Sequence, residues 1–325
     1  DASLSDLLTN TTGGAIGATA TPFLRAAADP IPRLARLLLQ VGCLLWLAML
    51  GLAAWLLAPW TPRGELRSGW ANLSAGYYWF PGRVQSVRLD GVPMPADAPV
   101  PDSAAVRERL NRGVTVLEVA AASGSAPRDR TWLYKLRTRA KTLLTLDQMG
   151  RDAYFGVSSH TMRFKLLAPT LRLPNAFPGE PGVAVRLEAG QRGRRLWLAS
   201  SYGRTKKSMS LDLSPAHAWS LVMPFGVALG PEARLLTGLW IGGLILPLGY
   251  WAGRAGRPLL GWATIGATLA AGLGFLPAMT GYVPVHWSEW LAGALGGAAG
   301  WALQHSARYL QTRCGSPSNG ASFSS

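Results

Sequence analysis

LLLQVGCLLWLAMLGLAAWLLAPW, residues Leu37 to Trp60, carries no charged side chain, and its reading decides the architecture of the rest. An α-helix rises about 1.5 Å per residue, so a stretch of this length crosses about 30 Å of hydrocarbon. Trp55 and Trp60 stand at its far end, where amphipathic rings settle at the membrane–water interface. The sequence therefore predicts a transmembrane helix over 37–60.

The charges on either side follow that reading. Between Trp60 and Arg234 lie 25 of the 32 Lys and Arg and 13 of the 17 Asp and Glu. The flanking stretches are nearly free of charge, as hydrocarbon requires, because a charge at the bilayer centre costs about 3 kcal/mol or more. Further apolar stretches run from Leu235 to Ala252, Pro258 to Leu276 and Glu289 to Leu303, with a weaker one from Leu7 to Leu24. Arg25, Arg33, Arg36, Arg254, Arg257, Arg308 and Arg313 occupy the short loops and ends, whereas the loop Pro277 to Ser288 has no Lys or Arg. If the spans alternate, all seven face the cytoplasm and the polar middle lies outside. Residue 1 is Asp, and no secretory pattern precedes the first apolar run, so the sequence reads as the C-terminal part of something longer, or as a gene fragment.

The middle segment has the period of two that marks half-buried strands. Met209, Leu211 and Leu213 alternate with polar residues, as do Val183, Val185 and Leu187. Met162 to Leu166 reads the same way, with Arg163 and Lys165 facing out. Asp90-Gly91, Met149-Gly150, and Ala189-Gly190 with Gly193 read as turns, and Ala104 to Leu110 as a helix. The expected fold class is mixed: an α-helical transmembrane bundle plus an extracytoplasmic all-β sandwich, jelly-roll-like. In domains, 1–27 ends one transmembrane unit and 37–60 is a single helix. Residues 61–234 form the sandwich, 235–305 three transmembrane helices, and 306–325 a disordered cytoplasmic tail.

Signatures of chemistry were sought and are absent from the sequence. His160, His217, His286 and His305 form no ligand cluster, and there is no CxxC, GxSxG, Walker loop or GxGxxG. Asp147, Asp152, Glu188 and Asp212 show no paired spacing of the glycosidase kind. No catalytic residue, metal or cofactor is therefore expected. The net charge of +15 raises nucleic acid as a partner, but no recognition module is present, and a basic domain beside a membrane can instead face anionic lipid or glycan.

Two segments match each other. Ser5 to Gly17, SDLLTNTTGGAIG, aligns with Ser288 to Gly300, SEWLAGALGGAAG, in the Ser, the acid, Leu, two Gly, Ala and the last Gly. The first copy, with Asp6, Asn10, Gly13 and Gly17, resembles the closing helix of the VanZ-like membrane protein family. The second, with Glu289, Gly293, Gly296, Gly297 and Gly300, keeps the acid and glycines but has Gly293 where that pattern has Asn. Val114 to Trp219 resembles the laminin-G or concanavalin-like sandwich, carried by Thr142 to Leu166 and Ser210 to Phe225. The resemblance implies a bacterial inner-membrane protein whose outer sandwich binds glycans or proteins.

The function expected is a non-enzymatic membrane protein recognising an anionic envelope glycan or an envelope protein, with the lipid bilayer as its other partner. The alternatives are an enzyme or transporter acting on a lipid-linked precursor, or an assembly protein. Sugar binding favours an aromatic face with donors nearby, which makes Trp132, Tyr134, His160, Trp197, Tyr202 and Arg204 the candidate contacts. The repeated helices are expected to run parallel, with their glycine stripes against other helices.

Overall fold

The structure is a computed structural model that describes residues 27–70, 80–222 and 228–314. The motif Asp6, Asn10, Gly13 and Gly17, and with it the comparison of the two repeated helices, lies outside the described residues. By compactness the chain forms two units. One gathers Asp1–Ala48, Gly238–Gly272 and Trp287–Ser325, and the other Met49–Thr237 with Leu273–His286.

Three helices among the described residues are long and apolar enough to cross a membrane. They are α1 (Pro32–Leu56), α3 (Ala233–Arg254) and α4 (Pro258–Met279). Pro32 supplies a pre-set φ and lacks only a donor that the first turn leaves unused, so α1 begins five residues before the apolar run does. A fourth helix, α5 (Trp287–Cys314), is 28 residues long but carries Glu289, Gln304, His305 and Arg308, and is not one of those three. It runs without a break past position 305 to Cys314.

Within the first unit, glycines set the helix packing. A Cβ on Gly296 would strike the backbone of Gly242, one on Gly300 the carbonyl of Leu246, and one on Gly249 the carbonyl of Gly297. A Cβ on Gly293 would lie 2.8 Å from Leu269 Cδ2 of α4, and one on Gly297 would lie 3.2 Å from the Trp262 ring. All four glycines of the second copy thus face neighbouring helices. Their partner numbers rise together along α3 and α5, so this pair runs parallel, with backbones as close as small residues four apart allow. Arg254, at the end of α3, reaches Asp29 at 2.8 Å.

Among the described residues the second unit holds twelve strands in two antiparallel sheets. They are β1 (Arg67–Trp70), β2 (Arg83–Leu89), β3 (Val92–Pro93), β4 (Asp97–Pro99), β5 (Val114–Ala122), β6 (Thr131–Arg137), β7 (Thr142–Met149), β8 (Asp152–Val157), β9 (Thr170–Leu173), β10 (Ala184–Arg192), β11 (Arg195–Tyr202) and β12 (Thr205–Asp212). Sheet one is ordered β4-β1-β6-β7-β8-β9 and sheet two β12-β11-β10-β5-β2-β3. Their inward rows form the core. In sheet one the row includes Leu136, Leu144 and Val157, in register and buried. In sheet two it includes Leu117, Ala189 and Leu198. Leu213 is buried, Met209 and Leu211 are half-buried and Ser210 is exposed, which is the alternation expected of β12 and its continuation. Helix α2 (Ser103–Arg112) begins where the Asp102 carboxylate accepts the Ala105 N–H at 3.2 Å and ends on Gly113 at φ 65°.

Two expectations are corrected. Met162 to Leu166 is not a strand: His160–Phe164 forms a tight 3₁₀ turn, closed by Lys165 at φ 59° and by the Leu166 N–H donating to Thr161 O. Its period of two came from Arg163 and Lys165, which are exposed, but Phe164 and Leu166 are exposed too. Ala189-Gly190 is not a turn but the middle of β10. A Cβ on Gly190 would sit 2.8 Å from the Trp197 ring and 2.5 Å from Thr115 O, so the glycine makes room for a cross-strand tryptophan. Asp90-Gly91 and Gly150 do form turns, at φ 53°, 78° and 59°.

Candidate ligand-binding site

Strand register decides which side chains share the outer face of sheet one. Lys135 pairs with Thr145, Thr145 with Gly156, and Gly156 with Thr170, one residue on each of β6 to β9. Trp132 pairs with Asp147, Asp147 with Tyr154, and Tyr154 with Arg172 in a second row. Successive residues on a strand point to opposite faces, so both rows face away from the core. Of these, Trp132, Lys135, Thr145, Asp147, Gly156 and Thr170 line a cleft of about 390 Å³, to which Arg130, Leu167 and Ala168 also contribute. The floor is deep because Gly156 has no side chain: a Cβ there would lie 2.9 Å from Thr145 Oγ1 and 3.3 Å from Thr170 Oγ1.

The cleft pairs hydroxyls with aromatic rings and a charge cluster. Arg130 Nε lies 2.9 Å from Asp147 Oδ2, and its guanidinium stands 4.8 Å from the centre of the Tyr154 ring. The Arg130 N–H is poorly aligned with that oxygen, so the contact is an ion pair rather than a linear hydrogen bond; Thr145 and Arg130 lie close enough to favour the charged carboxylate, but no donor among the described residues meets Asp147 Oδ1 with good geometry. Lys135 Nζ stands 4.7 Å from the centre of the Trp132 ring. Burial holds the Asp147 carboxyl above its ordinary pKa, although Arg130 and Lys135 pull the other way. Burial also lowers Lys135, against the opposing pull of Asp147. The hydroxyls of Thr145 and Thr170, the half-buried Lys135 ammonium and the Trp132 indole can take a polyhydroxylated ring: hydroxyls to the two threonines, an apolar sugar face to Trp132, an acidic substituent to Lys135, with Asp147 holding the cations from beneath.

The six residues chosen from sequence do not converge. Trp132 lines the cleft. Tyr134 does not face a ligand: a bulge between Trp132 and Tyr134 breaks the alternation and turns Tyr134 into the core, fully buried, its phenol pushed up to about 12 by burial. His160 stacks on Trp55 at 4.7 Å and faces Trp60 at 5.9 Å, outside the cleft. Trp197 covers Gly190 on the outer face of sheet two. Tyr202 lies at the end of β11, where its hydroxyl donates to Asn175 O at 3.5 Å, and Arg204 is exposed in the turn to β12.

No protein-family model, curated protein or solved structure matches this chain.

Geometry is therefore what singles out the cleft. Among the described residues, no group of three or more His, Cys, Asp or Glu could hold a metal ion. Sequence reasoning missed Arg130, Lys135, Thr145, Asp147, Gly156 and Thr170 as partners. One signal was present: Leu143, Thr145 and Asp147 alternate and so share a face. The bulge in β6 removed the matching signal on the strand that supplies Trp132 and Lys135.

Proposed function

We propose that this is a non-enzymatic integral membrane protein whose outer sandwich, laminin-G-like and jelly-roll-like in kinship, binds an anionic envelope glycan in the cleft of sheet one. The observation that carries the reading is the ion pair between half-buried Arg130 and buried Asp147, set in a recess beside Lys135 and Trp132. The domain's 25 basic residues against 13 acidic ones favour an acidic ligand and speed its encounter.

In this reading the chain is a VanZ-like protein of the bacterial inner membrane, with residues 60–234 outside. Two features support that orientation. The loop between α4 and α5 has no Lys or Arg, and its Tyr282 packs on the domain's own side. There the Tyr282 hydroxyl donates to Ala54 O at 2.7 Å, and Arg194 lies 4.4 Å from the centre of its ring. The test is titration calorimetry of the full chain in lipid nanodiscs with a uronic-acid oligosaccharide and with its neutral counterpart. Binding of the acidic sugar, weakened about tenfold (about 1.4 kcal/mol) by Trp132→Ala, is expected. No heat with either sugar, or binding indifferent to Trp132, would overturn the reading.

A further inference from the structure

The turn that replaced an expected strand leaves five consecutive exposed residues, Arg163-Phe164-Lys165-Leu166-Leu167. Phe164 is 58 % exposed, Leu166 37 % and Leu167 45 %, an unusual cost for a loop that could have been polar. The loop is not loose. The His160 N–H donates to Ala58 O at 3.1 Å, and Pro59 and Ser159 form an antiparallel bridge. Thr161 is fully buried, and its hydroxyl meets that of Ser159 at 2.7 Å. Each tie is to Ala58 or Pro59, just past the end of α1, or to the loop itself.

The apolar tip therefore lies beside the last turn of an apolar helix of membrane length. Trp55 of that turn meets Phe164 edge-on at 5.8 Å and stacks on His160. Arg163 stands 5.4 Å and Lys141 5.8 Å from the centre of the Trp60 ring, and the Lys141 ammonium donates to Met162 O. Indole rings, exposed Phe and Leu, and basic residues at one level are the composition that settles at the headgroup boundary of a bilayer.

We infer that His160–Leu167 is an interfacial anchor: its Phe164, Leu166 and Leu167 side chains seat among the acyl chains at the C-terminal end of α1, and Arg163 and Lys165 meet anionic lipid headgroups. The occupant of this apolar surface is the bilayer, because the tip is stitched to the end of a helix that is itself apolar and because the charges around it are basic. The inference rests on the reading of α1 as a membrane span. Leu167 also lines the cleft, so the anchor would hold the sugar site at the lipid surface.

The test uses the full chain in anionic nanodiscs, with Cys43 and Cys314 replaced and one nitroxide placed in turn at Phe164, Leu167, Leu44 and Arg204. Relaxation by oxygen, which concentrates in lipid, is compared with relaxation by a water-soluble nickel complex. Nitroxides at 164, 167 and 44 are expected to favour oxygen, and the one at 204 to favour nickel. Nickel-dominated relaxation at 164 and 167 with oxygen at 44 overturns the anchor and leaves the span standing, whereas nickel at 44 removes the span on which both depend. A second arm, Phe164→Asp with Leu167→Asp in the background labelled at Leu166, should move that label toward nickel. No movement there would also overturn the anchor.

Discussion

On the outer face of sheet two, Arg186 reaches Glu118 at 3.1 Å and Glu188 at 3.5 Å, and Arg195 grips both oxygens of Asp212 at 2.7 Å. These charges are part-exposed and paired, across strands or, for Arg186 and Glu188, along one strand, so each already has a partner and reaches water. On the outer face of sheet one, Asp152 is paired in the same way, with Arg172 at 2.8 Å, but Asp147 is buried, with one oxygen outside any linear hydrogen bond, and the neighbouring strand offers a glycine where a side chain would close the cleft. Both faces come from the same alternation of strand residues. What separates them is depth: a satisfied charged surface resists association, whereas an incompletely satisfied, recessed one gains free energy when a ligand completes it.

Trp132 and Trp197 sharpen the contrast, since both lie half-buried on outer faces. Trp132→Ala should weaken binding of an acidic oligosaccharide about tenfold (about 1.4 kcal/mol), and Trp197→Ala should leave it unchanged, by calorimetry on the full chain. Equal losses would erase the distinction between the sheets. Gly156→Val tests the cleft without removing a contact. Its side chain would crowd Thr145 and Thr170 and fill the floor of the cleft, so affinity should fall several-fold in the same calorimetry.

A third comparison uses pH. The Asp147 carboxyl has a folded-state pKa raised above the ordinary 3.8, first by burial. The folded state therefore takes up its proton sooner than the unfolded state, and this group's contribution to stability grows as pH falls through the folded pKa, levelling off below 3.8. His217 acts with the opposite sign, because burial lowers its pKa to about 4 from 6.5 and its contribution is lost as pH falls across that window. Denaturation of wild type and Asp147→Asn in parallel cancels His217. Wild type should gain on the variant as pH falls from neutral, and a constant gap would contradict the raised pKa. The smallest effect belongs to sheet two. Arg186→Ala should cost less than about 1 kcal/mol, as exposed pairs do, and a larger loss in chemical denaturation would mean that its surface is not simply solvated.

The long elements were legible because their signals are cumulative. An uncharged run such as Leu37 to Trp60 needs no partner to be recognised, and neither does the alternation in Val183, Val185 and Leu187. Helix ends moved where local chemistry outweighed hydropathy, as at Pro32. The site was not legible, because it is made by pairing between strands: Lys135, Thr145, Gly156 and Thr170 are neighbours only through register, and the β6 bulge exchanged the roles of Trp132 and Tyr134. Met162 to Leu166 misled because alternating charge imitates a half-buried strand even where the intervening apolar residues, Phe164 and Leu166, are left exposed.

The way the strands interleave also sets a schedule for folding. Sheet one cannot close until β1 meets β6, and sheet two is held together by β5 against β10. Both pairings join distant parts of the chain, and such non-local closure is slow. The chain has two cysteines, Cys43 and Cys314, and neither falls among these strands, so no step waits for an oxidant. A chain emerging from its N-terminal side must expose β5 and its apolar row until residues 184–192 arrive. Of the residues of β5 that face away from the core only Glu118 is polar, so β2, already made and paired along one edge of β5, is the partner that covers that strand while it waits.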